Sequence, residues 1–460
     1  MASAASRRVV CFSGGSAANN LVDVFNQVIE NNNCSLTYVI PISDNGGSTS
    51  ELIRVFGGPG IGDVRSRLVR LIPQSHTDIR TLFNHRLSSA SDEAASEFST
   101  LLTGTSALYG PIPTAQAMLI RSILSHVYLE ILKRNRPPSS TFNFQSASVG
   151  NLFLTGARLF SGSFESAIYL FALMGGIDES KTAVLPSIIS NFSHHISAGL
   201  ADGSVIVGQN AISHPGEPTA LNQPEEPCQN PDLDSLPRRA DVTVEDAHLP
   251  GSLSTLRQPS IAFSKASEEP LVAAIRRIWY INPYGQEMQP PPNPKALEAL
   301  SNADAVIYSI GSLYTSIVPS LILRGVGDAI ASPSGPKFKI LILNGSLDRE
   351  TGNYTASDFL DAITRACMDS QSLDNEYAST AVRDQWRRFV THLIHLEGVG
   401  VPSVDRRMLC EQGVESLRLY GRKSSDGIMR YDDKGLTQAL GMILGRREKA
   451  AKSRRNTLES

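Results

Sequence analysis

Arg8-Val9-Val10-Cys11-Phe12-Ser13-Gly14-Gly15-Ser16 and Leu36-Thr37-Tyr38-Val39-Ile40-Pro41-Ile42-Ser43-Asp44-Asn45-Gly46-Gly47-Ser48 are the two stretches that decide the fold. Each is a short apolar run of β type that stops at a glycine pair. Between them Leu21, Phe25, Val28 and Ile29 recur at i, i+4, i+7 and i+8, the spacing of one apolar helix face, and Asn31-Asn32-Asn33 ends it. Strand, turn, helix, strand, turn is a βαβ unit, and such units build parallel sheets. Ligands of open parallel sheets sit at the carboxyl ends of the strands, where both glycine turns fall.

Outward from there, residues 115–133 and 151–174 read as long helices with few breakers. The composition then shifts: residues 214–270 are rich in Pro, Glu and Asp and read as an exposed insertion. Order resumes at 275–281. A second α/β block follows, with a strand over 304–310 ending at Gly311-Ser312, a strand over 338–343 ending at Asn344-Gly345, and a capped helix over 355–368. The expected architecture is a Rossmann-like three-layer α/β fold, a parallel sheet with helices on both faces, plus a helical region and the Pro-rich insertion. Its blocks are 1–213, 214–270, 271–445, which completes the same core, and a basic tail at 446–460.

Composition sets the bounds. The chain has 460 residues, 41 % hydrophobic and 19 % charged, with a net charge of -3. That is an ordinary globular balance and offers no basic field for nucleic acid or anionic lipid. No apolar run approaches the roughly 20 residues of a membrane span, and the N-terminal stretch has no apolar signal core. The five cysteines (Cys11, Cys34, Cys228, Cys367, Cys410) are odd in number and lack CxxC spacing. They read as reduced thiols of a cytoplasmic protein, not as a zinc site. His85 and His194-His195 lack partner spacing for a metal, and neither a GxSxG elbow nor a cysteine-nucleophile signature occurs.

Five turns carry candidate chemistry. Gly14, Gly15 and Ser16 precede a helix, where free N–H groups and the helix dipole suit phosphate; a tight turn alone is the other reading. They match neither GxGxxG nor GxxxxGK[ST]. Asp44, Asn45, Gly46 and Gly47 offer a carboxylate for Mg²⁺, a ribose or proton abstraction, or else a plain Asx turn. In Gly57-Gly58-Pro59-Gly60-Ile61-Gly62-Asp63-Val64-Arg65-Ser66-Arg67-Leu68, Val64, Leu68, Leu71 and Ile72 mark a buried helix face. Arg65, Arg67 and Arg70 lie off that face, as phosphate clamps or as a solvated side. Asp63 and Arg65 are candidate ligand contacts. Asn151 either caps its helix or presents its amide to a ligand. In Gly311-Ser312-Leu313-Tyr314-Thr315, Tyr314 can stack on a base and Ser312 or Thr315 can bind phosphate; a capped helix start is the alternative.

Taken in order, GGSA, SDNGGSTSELIR, GGPGIGDVRSRLVRLI, VGNLFLTGARLF, DGSVIVG and ADAVIYSIGSLYTSIVPSLILRGVGDAI resemble the 2-phospho-L-lactate transferase family, which includes bacterial gluconeogenesis factors. The resemblance runs from about Val9 to about Ala366. It implies a Rossmann-like fold with a deep cleft. The transferases of the family move a phospholactyl group from a guanosine diphosphate donor with Mg²⁺, and the gluconeogenesis factors bind nucleotide sugars as regulators. Carried onto this chain, Gly14, Gly15 and Ser16 match the first phosphate-side turn. Asp44 matches the first acid of an Asp-Asp-Gly-Gly motif, Asn151 the Asn of Gly-Asn-Leu, and Ser312, Tyr314 and Thr315 the Gly-Ser-Leu-Tyr-Thr-Ser motif. Ala17 stands where the family has glycine, Asn45 where it has a second Asp, and Ala147 where bacterial relatives often carry His.

The expected function is binding of a nucleoside diphosphate or nucleotide sugar, with Mg²⁺-dependent transfer of a phosphate-linked group in which Asp44 holds the cation or activates the acceptor. The alternative is a non-catalytic regulator that binds a nucleotide sugar. A homodimer is compatible with the sequence and not fixed by it.

Overall fold

The computed structural model describes residues 6–15, 17–135, 141–215, 253, 256, 270–371, 381–424 and 427–456, with side chains to residue 445. Most of the 214–270 insertion and Ser16 therefore lie outside the described residues. The strands, in chain order, are β1 (Arg7–Phe12), β2 (Cys34–Ile40), β3 (Thr182–Pro186), β4 (His195–Leu200), β5 (Val205–Val207), β6 (Ile275–Ile281) and β7 (Glu287–Met288). After them come β8 (Ala305–Tyr308), β9 (Phe338–Ile342), β10 (His392–His395), β11 (Glu415–Arg418), β12 (Gly421–Lys423) and β13 (Met429–Tyr431). The helices used below are α1 (Val22–Asn32), α2 (Ser48–Phe56), α3 (Gly62–Leu71), α4 (Thr77–Asn84), α5 (Ser91–Thr103), α6 (Thr114–Arg134), α7 (Val149–Ser161) and α8 (Phe164–Gly175).

Seven strands form one parallel sheet in the order β11-β10-β9-β8-β1-β2-β3, flanked by helices. A parallel sheet covered on both faces needs strands that are apolar throughout. β8 and β10 comply: all four residues of each are buried. The chain leaves β1 in one direction, to β2 and β3, and later returns to its other side with β8. Val9 pairs with Ala305 and Phe12 with Tyr308. The strand order thus reverses between β1 and β8, and such a switch point opens a crevice at the carboxyl ends.

Two features depart from the sequence reading. The helical stretch 151–174 is two helices, because Gly162 takes a left-handed conformation (φ 70°) that closes α7, and the Ser163 Oγ caps the Ser166 N–H to start α8. A separate antiparallel sheet, β5-β4-β6-β7, was not anticipated beyond its ordered run at 275–281.

The helical region is held by rings and by one buried ion pair. Phe83 packs against Phe153 and Phe171, with centroids 4.9 Å and 4.3 Å apart. On α2, Arg54 Nη2 lies 2.7 Å from Glu51 Oε1, with side chains only 2 % and 1 % exposed. Glu51 also accepts the Asn143 N–H, and Arg54 donates to the Thr141 carbonyl, so the pair ties α2 to the segment before α7. Removing one partner of such a pair strands the other charge in the interior. Glu51→Ala is expected to cost about 3–5 kcal/mol, read from the shift in the chemical denaturation midpoint.

Candidate functional site

A cavity of about 1060 Å³ opens at the switch point. The turns after β1 and β2, the start of α3, the turn after β8 and the turn after β9 form its walls. Of the candidates, Gly14, Gly15, Asp44, Gly46, Gly47, Asp63, Arg65, Asn151, Gly311, Ser312 and Thr315 all line it. Parallel strands that end at one level bring these turns together, although Gly14 and Gly311 lie far apart in sequence.

Two carboxylates share this wall, near enough for the charge of Asp44 to act on Asp63. Asp44 ends β2 and Asp63 begins α3. A Cβ on Gly62 would overlap Asp44 Oδ2, and one on Gly60 would overlap the Asp44 backbone. A Cβ on Gly15 would overlap Asp63 Oδ1, while one on Gly14 would run into the Ser316 side chain. Gly15, Gly60 and Gly62 are therefore required by close approach of the protein to its own carboxylates, and Gly14 by close approach to Ser316. The Gly46 N–H donates to Asp44 Oδ1 at 3.1 Å, and the Gly15 N–H donates to Asp63. Burial raises the proton affinity of both acids, and for Asp63 the charge of Asp44 adds to it.

Arginines surround the pair. Arg67 is completely buried and donates to the carbonyls of Ala18 and Gly14 and to Ser13 Oγ, with its guanidinium 4.3 Å from the Tyr38 ring centroid. It holds the first glycine turn from behind. Arg65 is 8 % exposed, and its Nε–H donates to Asn151 Oδ1 at 3.2 Å. The solvated-side reading therefore fails for both, and holds for Arg70, which pairs with Asp23 at the surface. Asn151 is not the cap of α7: Ser148 Oγ accepts the Asn151 N–H, and the freed amide donates to Ser48 Oγ.

Two candidates take other places. Asn45 does not line the cavity; its Oδ1 accepts the Asn210 N–H at 3.0 Å and fixes the β2 turn to the segment after β5. Tyr314 is buried behind the wall, its hydroxyl donating to the Ile275 carbonyl, so its ring does not face a base. Ser16 lies outside the described residues. Thr315 Oγ1 hydrogen-bonds Glu350, whose other oxygen accepts the Tyr314 N–H at 2.8 Å. Burial, then the charge of Asp348, pushes the Glu350 carboxyl up to about 8. Sequence reasoning missed Arg86, Ser316 and Glu350. The 344–348 wall carried the same strand-end glycine signal as the first turn, whereas Arg86 and Glu350 sit in loops with no local signature.

Among the described residues no group of three His, Cys, Asp or Glu side chains is placed to hold a metal ion, and no helix is long and apolar enough to cross a membrane. The sequence profile of the family described as "2-phospho-L-lactate transferase CofD" matches residues 9–415. The uncharacterized protein YNL011C of Saccharomyces cerevisiae is 36 % identical over 451 residues, covering 95 % of this chain and 98 % of that one. A gluconeogenesis factor of Halalkalibacterium halodurans is 21 % identical over 441 residues, covering 94 % and 95 %. The crystal structure of protein BH3568 from Bacillus halodurans superposes with a TM-score of 0.59 at 20 % identity, over 95 % of this chain and 99 % of that one, and shares the fold.

Glu350 gives a test of the electrostatics. Its folded state keeps a proton that the unfolded chain releases near 4.5. The associated stability is complete below that value and is lost as pH rises through about 8. Glu350→Gln keeps an acceptor for Tyr314 and a donor for Thr315. Its melting temperature is expected to rise relative to wild type as pH increases from about 5 to about 9; a constant difference across that range contradicts the assignment.

Proposed function

The chain belongs to the 2-phospho-L-lactate transferase CofD family, and from that premise we propose that its cavity binds a nucleoside diphosphate or nucleotide sugar and transfers a phosphate-linked group from it. The observation that carries this reading is that Asp44 and Asp63 share one cavity wall within each other's electrostatic reach. Two carboxylates of raised proton affinity on one cavity wall are a favourable seat for a divalent cation. Mg²⁺ is held in nucleotide sites by one or two carboxylates together with the substrate's phosphates, so the absence of a third protein ligand among the described residues fits. Asn45, which removes one acid of the sequence motif, has its side chain committed elsewhere, and Asp63 supplies the second carboxylate from α3.

In this reading Asp44 and Asp63 hold Mg²⁺, which when bound neutralises charge on the transferred phosphoryl oxygens. Ser312 and Thr315 line the wall built by the turn after β8, where the Ser312 hydroxyl meets the nucleotide's phosphates while the Thr315 hydroxyl is held by Glu350. Arg67, buried behind the first turn, keeps the Gly14 and Ala18 carbonyls turned towards itself and away from an anion. The acceptor's hydroxyl oxygen bonds to phosphorus as the bond to the nucleotide's oxygen breaks; the nucleotide leaves with the bonding pair, and the acceptor's proton passes to water. The gluconeogenesis factors among the relatives support a second reading, binding without turnover as a regulator.

Thermal stability against GDP, GTP, UDP and UDP-N-acetylglucosamine, with and without Mg²⁺, tests both readings. A ligand at about 100 times its Kd adds about 2.7 kcal/mol. A shift enlarged by Mg²⁺ and lost in Asp44→Asn is expected; no shift with any nucleotide overturns the proposal, and binding without turnover favours the regulator. Gly62→Ala makes the sharper test, because its methyl displaces the Asp44 carboxylate from a helical position that alanine otherwise tolerates. The Mg²⁺ midpoint concentration should rise at least about tenfold, with melting temperature in the absence of ligand nearly unchanged.

A further inference from the structure

Arg65 and Arg86 line the same cavity, beside the carboxylate pair. They reach it from different elements that meet at the first turn of α7. Arg86 lies in the loop after α4 and is bridged through its backbone to Ser148, the residue that caps α7. Arg65, on α3, bonds Asn151 in that first turn. Each uses only part of its guanidinium on the protein: Arg65 donates through Nε, and Arg86 donates through Nη1 to the Ser146 carbonyl. Neither makes an ion pair with a carboxylate among the described residues.

Such an arrangement costs stability. Arg65 is more than nine-tenths buried, and the Arg86 charge works against its own. Burial, then Arg86, brings Arg65 down to about 10, so it stays charged at neutral pH. A buried guanidinium whose terminal nitrogens lack a protein partner, placed beside a second cation and a helix N-terminus, is arranged for an oxyanion. Arg67 is the contrast: equally buried, it spends its terminal nitrogens on the Ala18 and Gly14 carbonyls and on Ser13 Oγ and serves the fold. The cavity is also at the upper end of what one small ligand fills, since such sites span about 300–1,000 Å³.

We propose that Arg65 and Arg86 form a second anion subsite, which holds a phosphate or carboxylate group other than the nucleotide's own diphosphate. This rests on the nucleotide reading only for what lies beside it. The group belongs to the molecule that gives or receives the transferred moiety, and the subsite selects anionic members of that class.

Thermal titration with inorganic phosphate and, separately, with acetate tests it, in the protein alone and in the protein saturated with the nucleoside diphosphate that binds best. Phosphate or acetate should stabilise in both settings, the better of the two naming the oxyanion. In Arg86→Gln the midpoint concentration should rise about tenfold or more, with the nucleoside diphosphate midpoint changed less than about twofold. Arg65→Met supplies the second arm. It should abolish the anion response, while the melting temperature without anions reports on folding alone, because the Arg65 charge is opposed by burial and Arg86 and favoured by Asp44 and Asp63. If Arg65→Met lowers that temperature and the anion midpoints do not move in either variant, the arginines are structural and the subsite is wrong. If nucleotide displaces phosphate, or Arg86→Gln weakens both equally, the pair reads the diphosphate and the proposal falls. If no nucleotide binds while phosphate still binds through Arg65 and Arg86, the nucleotide reading fails and the subsite stands.

Discussion

Two buried carboxylates, each pressed against glycine backbone in one wall, set the terms for the cavity. Like charges at close range resist ionisation together, and burial adds to that resistance. The chain can place Asp44 beside Asp63 only if backbone lies where side chains would otherwise be. Gly60 and Gly62 let the end of β2 meet the start of α3, and Gly15 lets the first turn settle on Asp63. The glycines and the acids are one unit: adding a methyl to the former moves the latter.

The charge of that unit is answered on two levels. Arg67 sits behind the first turn, in the interior, and its two terminal nitrogens go to oxygens of the protein. Arg65 and Arg86 sit in front, with donors to spare. Glu350 supplies the corresponding support on the wall built by the turn after β8, where one buried carboxyl accepts the Tyr314 N–H and engages Thr315, so that turn is fixed before anything binds. Preorganisation of this kind costs the free protein stability and lowers what a ligand must spend on ordering.

Much of this was legible in the sequence, and the reason is local. A strand that ends in glycine is a short-range pattern, and the turns after β1, β2 and β8 each showed it, so eleven of the fourteen candidates reach one cavity. What failed was direction. Tyr314 and Asn45 lie in the right turns but point away from the cavity, because side-chain orientation in a turn depends on partners such as Ile275 and Asn210 that come from elsewhere in the chain. Arg65 and Arg67 share a helix two residues apart, and only the tertiary packing decides that one faces a cavity and the other a turn. Arg86 and Glu350 carry no periodicity and no turn signature, so nothing local marks them. The antiparallel sheet β5-β4-β6-β7 was hidden for a related reason: β4 and β6 pair across the long insertion.

The pairing of β1 with β8 has a consequence for how the protein is made. The Arg8 N–H bonds to Asp304 across 296 residues, at the amino end of the seam whose carboxyl end opens into the crevice. A ribosome working at about 5–20 residues per second takes tens of seconds to deliver the second strand after the first. During that interval β1 has β2 on one side and an open hydrogen-bonding edge on the other, in a stretch as apolar as Val9-Val10-Cys11-Phe12. Exposed edges of this kind recruit foreign strands. The nascent chain is thus most vulnerable to aggregation midway through synthesis, and a chaperone that covers that edge would protect the seam on which the cavity is later built.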